Sequence, residues 1–281
     1  MCFNVVVINP RKRDIRVSVM NMLSYASYNR DGFSIYTVND NKEKVYRTLD
    51  FKSFTEFVKH NIYNNELVHM HFRMASSGTV SLKNVHMWKL DEDEDSKRYY
   101  YVSHNGTVSR YSNISYLDPK VVEWYRDVYG MKLNEIIELF KEDVESDTLA
   151  FIRSDAFHEC IFGNLADLDK VLNEASFYGV MFLTNPNEVI AISYRKPMYV
   201  VVSNSVLYFS NTDVEKEVSR IRKIYGLNFR VALSTVITNQ VVVFDVKRMN
   251  VKKTFKLNPP KKEEASGYWY YHNGTYYWVD E

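Results

Sequence analysis

Residues 66–78 read ELVHMHFRMASSG, and the architecture can be worked outward from them. From Glu66 to Arg73, apolar and polar side chains alternate with the period of a strand. Val68, Met70 and Phe72 therefore share one face, and His69, His71 and Arg73 the other. The run then enters Ala75, two serines and Gly78, a glycine that permits a turn with positive φ. A guanidinium at a strand end can grip a carboxylate through two parallel N–H bonds. Taken alone, the stretch is a strand running into a loop.

Upstream, Phe3 to Ile8 reads as a buried strand. Asp14 is placed to cap a helix through about Ala26, with Ile15, Val19, Met20 and Leu23 at helical spacing. A turn at Asn29–Gly32, strands at 33–38 and 44–49, and a helix opened by Ser53 and ending near Tyr63 lead into the quoted stretch. Downstream, a strand over Tyr99–Ser103 ends at His104-Asn105-Gly106. Helices are expected at about 119–128, 132–143, 147–158 and 164–175, then strands at 178–184, 188–193, 198–203 and 206–210. A helix from Asp213 to Tyr225 and strands near 231–237 and 240–246 complete the body. Strands, then helices, then strands imply an α+β fold with largely antiparallel sheets, not a repeating βαβ wind. Residues 256–267 read as a polar linker, and YWYYHNGTYYWV (268–279) as two aromatic strands around an Asn273-Gly274 hairpin turn.

The 281 residues carry 36 Lys+Arg against 35 Asp+Glu, a net +1 that removes the electrostatic argument for a nucleic-acid partner. Two cysteines, Cys2 and Cys160, exclude a disulfide framework or a four-thiolate zinc site. No apolar stretch approaches the ~20 residues of a membrane span, and the first basic residues follow the short apolar run instead of preceding it. A cytoplasmic location is expected. The abundance of Tyr, Phe, Asn and Lys suggests an AT-rich coding genome, such as that of a large virus, which would place the protein in host cytoplasm.

Four short elements can carry chemistry. If Met1 is removed, Cys2 becomes the first residue, and its own α-amine (pKa near 7.7–8.0) can take the thiol proton. Asn105 and the Gly106 N–H can donate to an oxyanion, although Asn-Gly is also a routine turn. Ser146 suits a helix N-cap, and Asp147 the first helical turn. The fourth is the 71–78 stretch, followed by Asn84 and His86. His69, His71, His86 and His104 also raise a metal site, but no nearby carboxylate has ligand-like spacing, and no metal is expected. Cys160 lies in an apolar run and reads as a core thiol.

In order and spacing, Cys2, His71/Arg73/Ala75/Ser76/Gly78, Asn84/His86, His104/Asn105/Gly106 and Ser146/Asp147/Thr148 resemble the class II glutamine amidotransferases. These are glutaminase domains of the N-terminal-nucleophile (Ntn) hydrolase superfamily. Arg195-Lys196-Pro197-Met198 and the strand-rich 178–210 segment extend the resemblance to about residue 250. It implies a four-layer αββα sandwich of stacked antiparallel sheets over 2–255, a linker at 256–267 and a hairpin tail at 268–281. It implies Cys2 as nucleophile through a thioester, Asn105 and Gly106 as the oxyanion hole, Arg73 on the substrate α-carboxylate and Asp147 on its α-ammonium. Ser76 would supply a hydroxyl donor, with His71, Asn84, His86 and His104 in support, and no cofactor. The sequence departs from the family at Phe3, Met74, Ser77 and Met87, where glycine, tryptophan, histidine and proline are usual. Arg30 lies near a family arginine without being in register. Only about thirty residues follow the glutaminase-like region, so ammonia is expected to pass to a separate acceptor enzyme or to solvent. Two other readings stay open: an N-terminal cysteine amidohydrolase for another γ-glutamyl or acyl amide, and a non-enzymatic binding or structural descendant of the fold.

Overall fold

Phe3–Ile8 (β1) is buried along its whole length because both of its faces are covered. The computed structural model describes residues 2–76, 78–93, 95–111, 126–132, 135, 146–219, 231–260, 267–272 and 275–280, and the structural statements below concern these. β1 pairs antiparallel with β4 (Leu67–Phe72) on one side and β10 (Val206–Ser210) on the other. β2 (Phe33–Asn39) and β3 (Lys42–Thr48) extend the sheet past β4, and β9 (Met198–Ser203) and β11 (Val231–Ile237) extend it past β10. The second sheet runs β13 (Asn250–Lys256), β12 (Gln240–Asp245), β8 (Glu188–Tyr194), β7 (Phe177–Thr184), β6 (Tyr99–Val108), β5 (Trp88–Asp91).

The two sheets pack face to face through Val6, Ile8 and Leu67 against Val180, Phe182 and Val242. On the outer face of the first sheet, Val5, Val68, Met70 and Phe72 meet α1 (Arg16–Met22), α2 (Phe51–Asn61) and α6 (Glu215–Ser219) through Val19, Phe54, Val58 and Val218. On the outer face of the second, Met181, Leu183 and Ile192 meet α3 (Asp147–Ile152), α4 (Asp155–Phe162) and α5 (Leu168–Glu174). The fold is the expected α+β, four-layer αββα sandwich. Burying each large side chain in these layers contributes roughly 1.5–3 kcal/mol. The alternation in β4 acquires its meaning here. Val68, Met70 and Phe72 face helices, while His69 and His71 face the second sheet, so neither face is a solvent face.

Local differences have local causes. The first helix gives way to a 3₁₀ turn over Leu23–Ser27, where Ser24 and Ser27 hydroxyls bond carbonyls three residues back and compete with the helical ladder. The second helix starts at Phe51, not Ser53. Asp50 is the N-cap, and it accepts from the Ser53 N–H at 2.8 Å. The helix expected over 147–158 is two helices, broken where Ser154 caps α4. The helix expected over 164–175 begins as a 3₁₀ turn, Leu165–Asp167. The expected helices at 119–128 and 132–143, and the end of that at 213–225, fall largely outside the described residues. β6 does not end at Ser103: His104, Asn105 and Gly106 are strand residues opposite Met181, Val180 and Gly179. β5 and β13 were not legible, since β13 (NVKKTFK) is polar and exposed. Past Lys256 the chain stays on the body, with Leu257 buried and the Asn258 N–H on Asp169. β14 (Gly267–His272) and β15 (Thr275–Asp280) pair antiparallel as a hairpin; Asn273 and Gly274 are outside the described residues.

Candidate active site

β5 pairs with β6 only from Tyr99 to Val102, which leaves the next stretch of that edge without a strand neighbour among the described residues. Side chains take over. The His104 N–H donates to His86 Nδ1 at 3.1 Å, and the His71 Nε2–H donates to the His104 carbonyl at 3.1 Å. The His71 and His86 rings stack at 3.7 Å and 4°. The His104 ring bonds Thr148 Oγ1 at 2.9 Å and the Tyr178 carbonyl at 3.3 Å. Two residues on from Gly106, the Val108 N–H donates to Asp147 Oδ2 at 2.7 Å. In an antiparallel ladder alternate residues present their N–H to the same side. The Gly106 N–H therefore points out of the same edge, between those of His104 and Val108. Position 106 is restricted to glycine by space, because a Cβ there would overlap the Tyr178 carbonyl oxygen.

Cys2 sits at this edge, just before β1. Its sulfur accepts from the Met74 N–H at 3.3 Å. Its carbonyl accepts from Asn105 Nδ2 and, at 3.1 Å, from Asn211 Nδ2. The Asn4 N–H donates to Asn211 Oδ1 at 2.5 Å, so one side chain holds the start of β1 at two points. Asn105 Oδ1 in turn accepts from Lys196 Nζ at 3.0 Å. Behind Cys2, a polar network links Asn4 Oδ1, Ser103, His69 and Thr184 between the sheets.

Arg73 is buried, and its Nη1 donates to the Thr79 carbonyl at 2.8 Å. Asn84 ties that same carbonyl, 3.1 Å, to the Ser146 N–H, 2.9 Å, which joins the 79–84 turn to the start of α3. Ser146 caps α3 through the Leu149 N–H, and Asp147 accepts the Thr148 N–H at 2.8 Å as well as that of Val108. Gly78 has φ +73°, the left-handed conformation that glycine adopts without strain. Arg30 donates to the Ser27 carbonyl, on the helical side.

A cleft of about 220 Å³ opens onto Cys2 and is walled by Ser76, Asn105, Gly106, Tyr178 and Lys196, among others. Arg73 and Asp147 are not among its walls; they lie buried behind them. A larger cavity of about 660 Å³ lies on the helical face around Leu23, Arg30 and Phe51, away from the cysteine. Burial pushes the Cys2 thiol up, opposed by the Met74 N–H and by the Arg73 and Lys196 cations. Burial also raises the Asp147 carboxyl, opposed by the Val108 and Thr148 N–H groups. His69, His71, His86 and His104 are all depressed by burial, His69 and His104 to about 3, and are neutral near pH 7. Among the described residues, no three His, Cys, Asp or Glu groups are placed to hold one metal ion. No described helix is long and apolar enough to cross a membrane. Cys160 is buried in the helical layer with Phe157 and Leu168.

The structure thus brings Cys2, Asn105, Gly106 and Ser76 to one cleft, and places Arg73, Asp147, Asn84 and the histidines as its backing. Lys196 and Asn211 were assigned no role from the sequence, although Lys196 lies in the Arg195–Met198 stretch of the resemblance. Asn211 directly follows a strand that pairs with β1, and that adjacency is the signal that could have found it.

Two stacked antiparallel sheets enclosed by helices, with a cysteine at the head of a central strand, make a fold similar to that of glutamine amidotransferases of known structure. A glutamine phosphoribosylpyrophosphate amidotransferase from B. subtilis, complexed with ADP and GMP, superposes with a TM-score of 0.51 at 11% identity. A structure described as the allosteric regulatory enzyme of purine biosynthesis gives 0.54 at 10% identity. Both matches cover 91% of this chain and 49% of the other, so the chain spans about half the length of these structures. No family model and no curated protein sequence matches the chain.

Proposed function

We propose that this protein hydrolyses the side-chain amide of glutamine, with Cys2 as an N-terminal nucleophile after removal of Met1. The observation that carries the reading is the cysteine at the cleft beside the outward N–H of Gly106, on a fold shared with glutamine amidotransferases. The α-amine of Cys2 takes the thiol proton, and the sulfur attacks the amide carbon. As the C–S bond forms, the carbonyl π pair moves onto oxygen, where the Gly106 N–H and the second Nδ2 hydrogen of Asn105 are donors. The α-ammonium returns its proton to the amide nitrogen, the C–N bond breaks, and ammonia leaves a thioester on Cys2. Water, deprotonated by the same amine, then cleaves the thioester to glutamate and restores the thiol.

Free glutamine is a zwitterion, and Arg73 and Asp147 are a matching cation and anion. To use them, its α-carboxylate would replace the Thr79 carbonyl on Arg73 Nη1. That Arg73 and Asp147 are buried behind the cleft favours a second reading, an N-terminal cysteine amidohydrolase for an acyl amide with no such head group. Arg73→Ala separates the two. For glutamine, losing a charged hydrogen bond of about 1.5–3 kcal/mol raises KM roughly 10- to 100-fold; for a headless amide KM is unmoved. The test of the reaction itself is ammonia release from glutamine by the purified chain, absent in Cys2→Ala. Retained release in that variant removes the proposal. We assign 2–255 to the catalytic domain, and the 268–281 hairpin, beyond a 256–267 linker, to docking a separate acceptor enzyme in the cytoplasm; ammonia otherwise leaves to solvent.

A further inference from the structure

Lysine is among the residues least often fully buried, and taking an ammonium out of water costs several kcal/mol unless it is well paired. Lys196 is only 6% exposed and lies at the cleft. The backbone places it there deliberately. Arg195, just before it, has φ +58°, a left-handed conformation unfavourable for a non-glycine residue. That conformation is held by the Arg195 N–H on Asn239 Oδ1, 2.7 Å, and by the Ser193 hydroxyl on the Lys196 carbonyl, 2.6 Å. The side chain is thereby turned inward, with Nζ 3.0 Å from Asn105 Oδ1.

We propose that Lys196 is a positioning residue for the oxyanion site: its ammonium fixes which end of the Asn105 carboxamide faces the nucleophile, and its charge favours the Cys2 thiolate. An ammonium has three donors and no acceptor, so only the oxygen of Asn105 can face it. The amide NH₂ must then face the Cys2 carbonyl and the cleft. Without Lys196 only the Cys2 carbonyl selects the NH₂ end, and a carboxamide that turns over presents its oxygen to the developing oxyanion, which repels it. Among the described residues, the charged side chains acting on the Cys2 sulfur are Arg73 and Lys196, with Asp31 and Asp147 beside Arg73; the nearby imidazoles of His71, His86 and His104 are neutral. Lys196 is thus one of two fixed side-chain cations acting on the thiol.

This inference rests on Cys2 as the nucleophile but not on glutamine as the substrate, and the test keeps the two apart. Alkylation of Cys2 by iodoacetamide is followed against pH in the full chain, with the adduct located by peptide mass so that Cys160 is not counted. Lys196→Met moves the alkylation midpoint to higher pH, Lys196→Gln does the same while keeping a polar side chain, and Lys196→Arg restores it. On glutamine, kcat of the Met and Gln variants falls about 10²-fold or more, the cost of an oxyanion-hole donor, with KM little changed. An unshifted alkylation profile in either neutral variant that folds overturns the proposal, as does failure of Arg to rescue. If neither neutral variant folds, an Arg variant that folds and keeps the wild-type midpoint supports the role of charge, and a raised midpoint overturns it. A shifted profile with no turnover of glutamine in the wild type upholds Lys196 and removes the glutaminase reading alone.

Discussion

Lowering the pH from 7.5 to 5.5 should remove much of the stability of this fold, because four histidines are buried as neutral rings. His69, His71, His86 and His104 are all essentially inaccessible, and burial depresses each of them, His69 and His104 to about 3. In the unfolded chain each titrates near 6.5. Between those values the unfolded state binds protons that the folded state does not, so stability is full above about pH 6.5. It falls with pH below that point until the folded rings titrate. Each ring contributes a slope approaching about 1.4 kcal/mol per pH unit, so the four together lose about 5 kcal/mol over this range. That is a large part of the 5–15 kcal/mol typical of a domain. Urea unfolding at the two pH values reads it directly: the midpoint falls sharply at pH 5.5 with little change in the denaturant slope. Equal midpoints would mean that the rings are accessible or already charged, and the polar interior described above would be wrong.

Three further outcomes follow from single contacts. Gly106→Ala forces a Cβ into the Tyr178 carbonyl, and thermal denaturation should show a loss of about 1–3 kcal/mol or more, with the β6–β7 edge displaced. Asn211→Ala strands the buried Asn4 N–H and loosens the Cys2 carbonyl, costing about 1–3 kcal/mol in urea titration and slowing Cys2 chemistry as well. An unchanged rate would show that Asn211 is structural only. Ser154→Ala removes the cap of α4 and should cost about 1 kcal/mol without altering reactivity at Cys2.

How much of this was legible in the sequence depended on whether the signal was local. The period of β4 placed His69, His71 and Arg73 on one face, and the α+β class with antiparallel sheets followed from the order of strands and helices along the chain, while the four-layer sandwich came from the family resemblance. Ser146 as a cap was equally local. What the sequence hid was set by partners distant along the chain. His-Asn-Gly looks like a turn, yet at 104–106 it is a strand, because β7 covers one side and His71 and His86 supply the bonds on the other. Lys196 sits 91 residues from Asn105, and no spacing rule connects them. The short β5 and the solvent-facing β13 lack apolar alternation strong enough to read. The candidate cleft residues came from a pattern spread over the chain, while the burial of Arg73 and Asp147 behind the cleft wall required the fold.

The central claim is that Cys2, exposed at the amino terminus by removal of Met1, is the nucleophile of a glutamine-type amide site. Intact and peptide mass spectrometry after treatment with a glutamine-like electrophile tests it most directly. The account predicts a chain without Met1, carrying one adduct, on Cys2. Retained Met1, or an adduct on Cys160 or elsewhere with Cys2 unmodified, would contradict it.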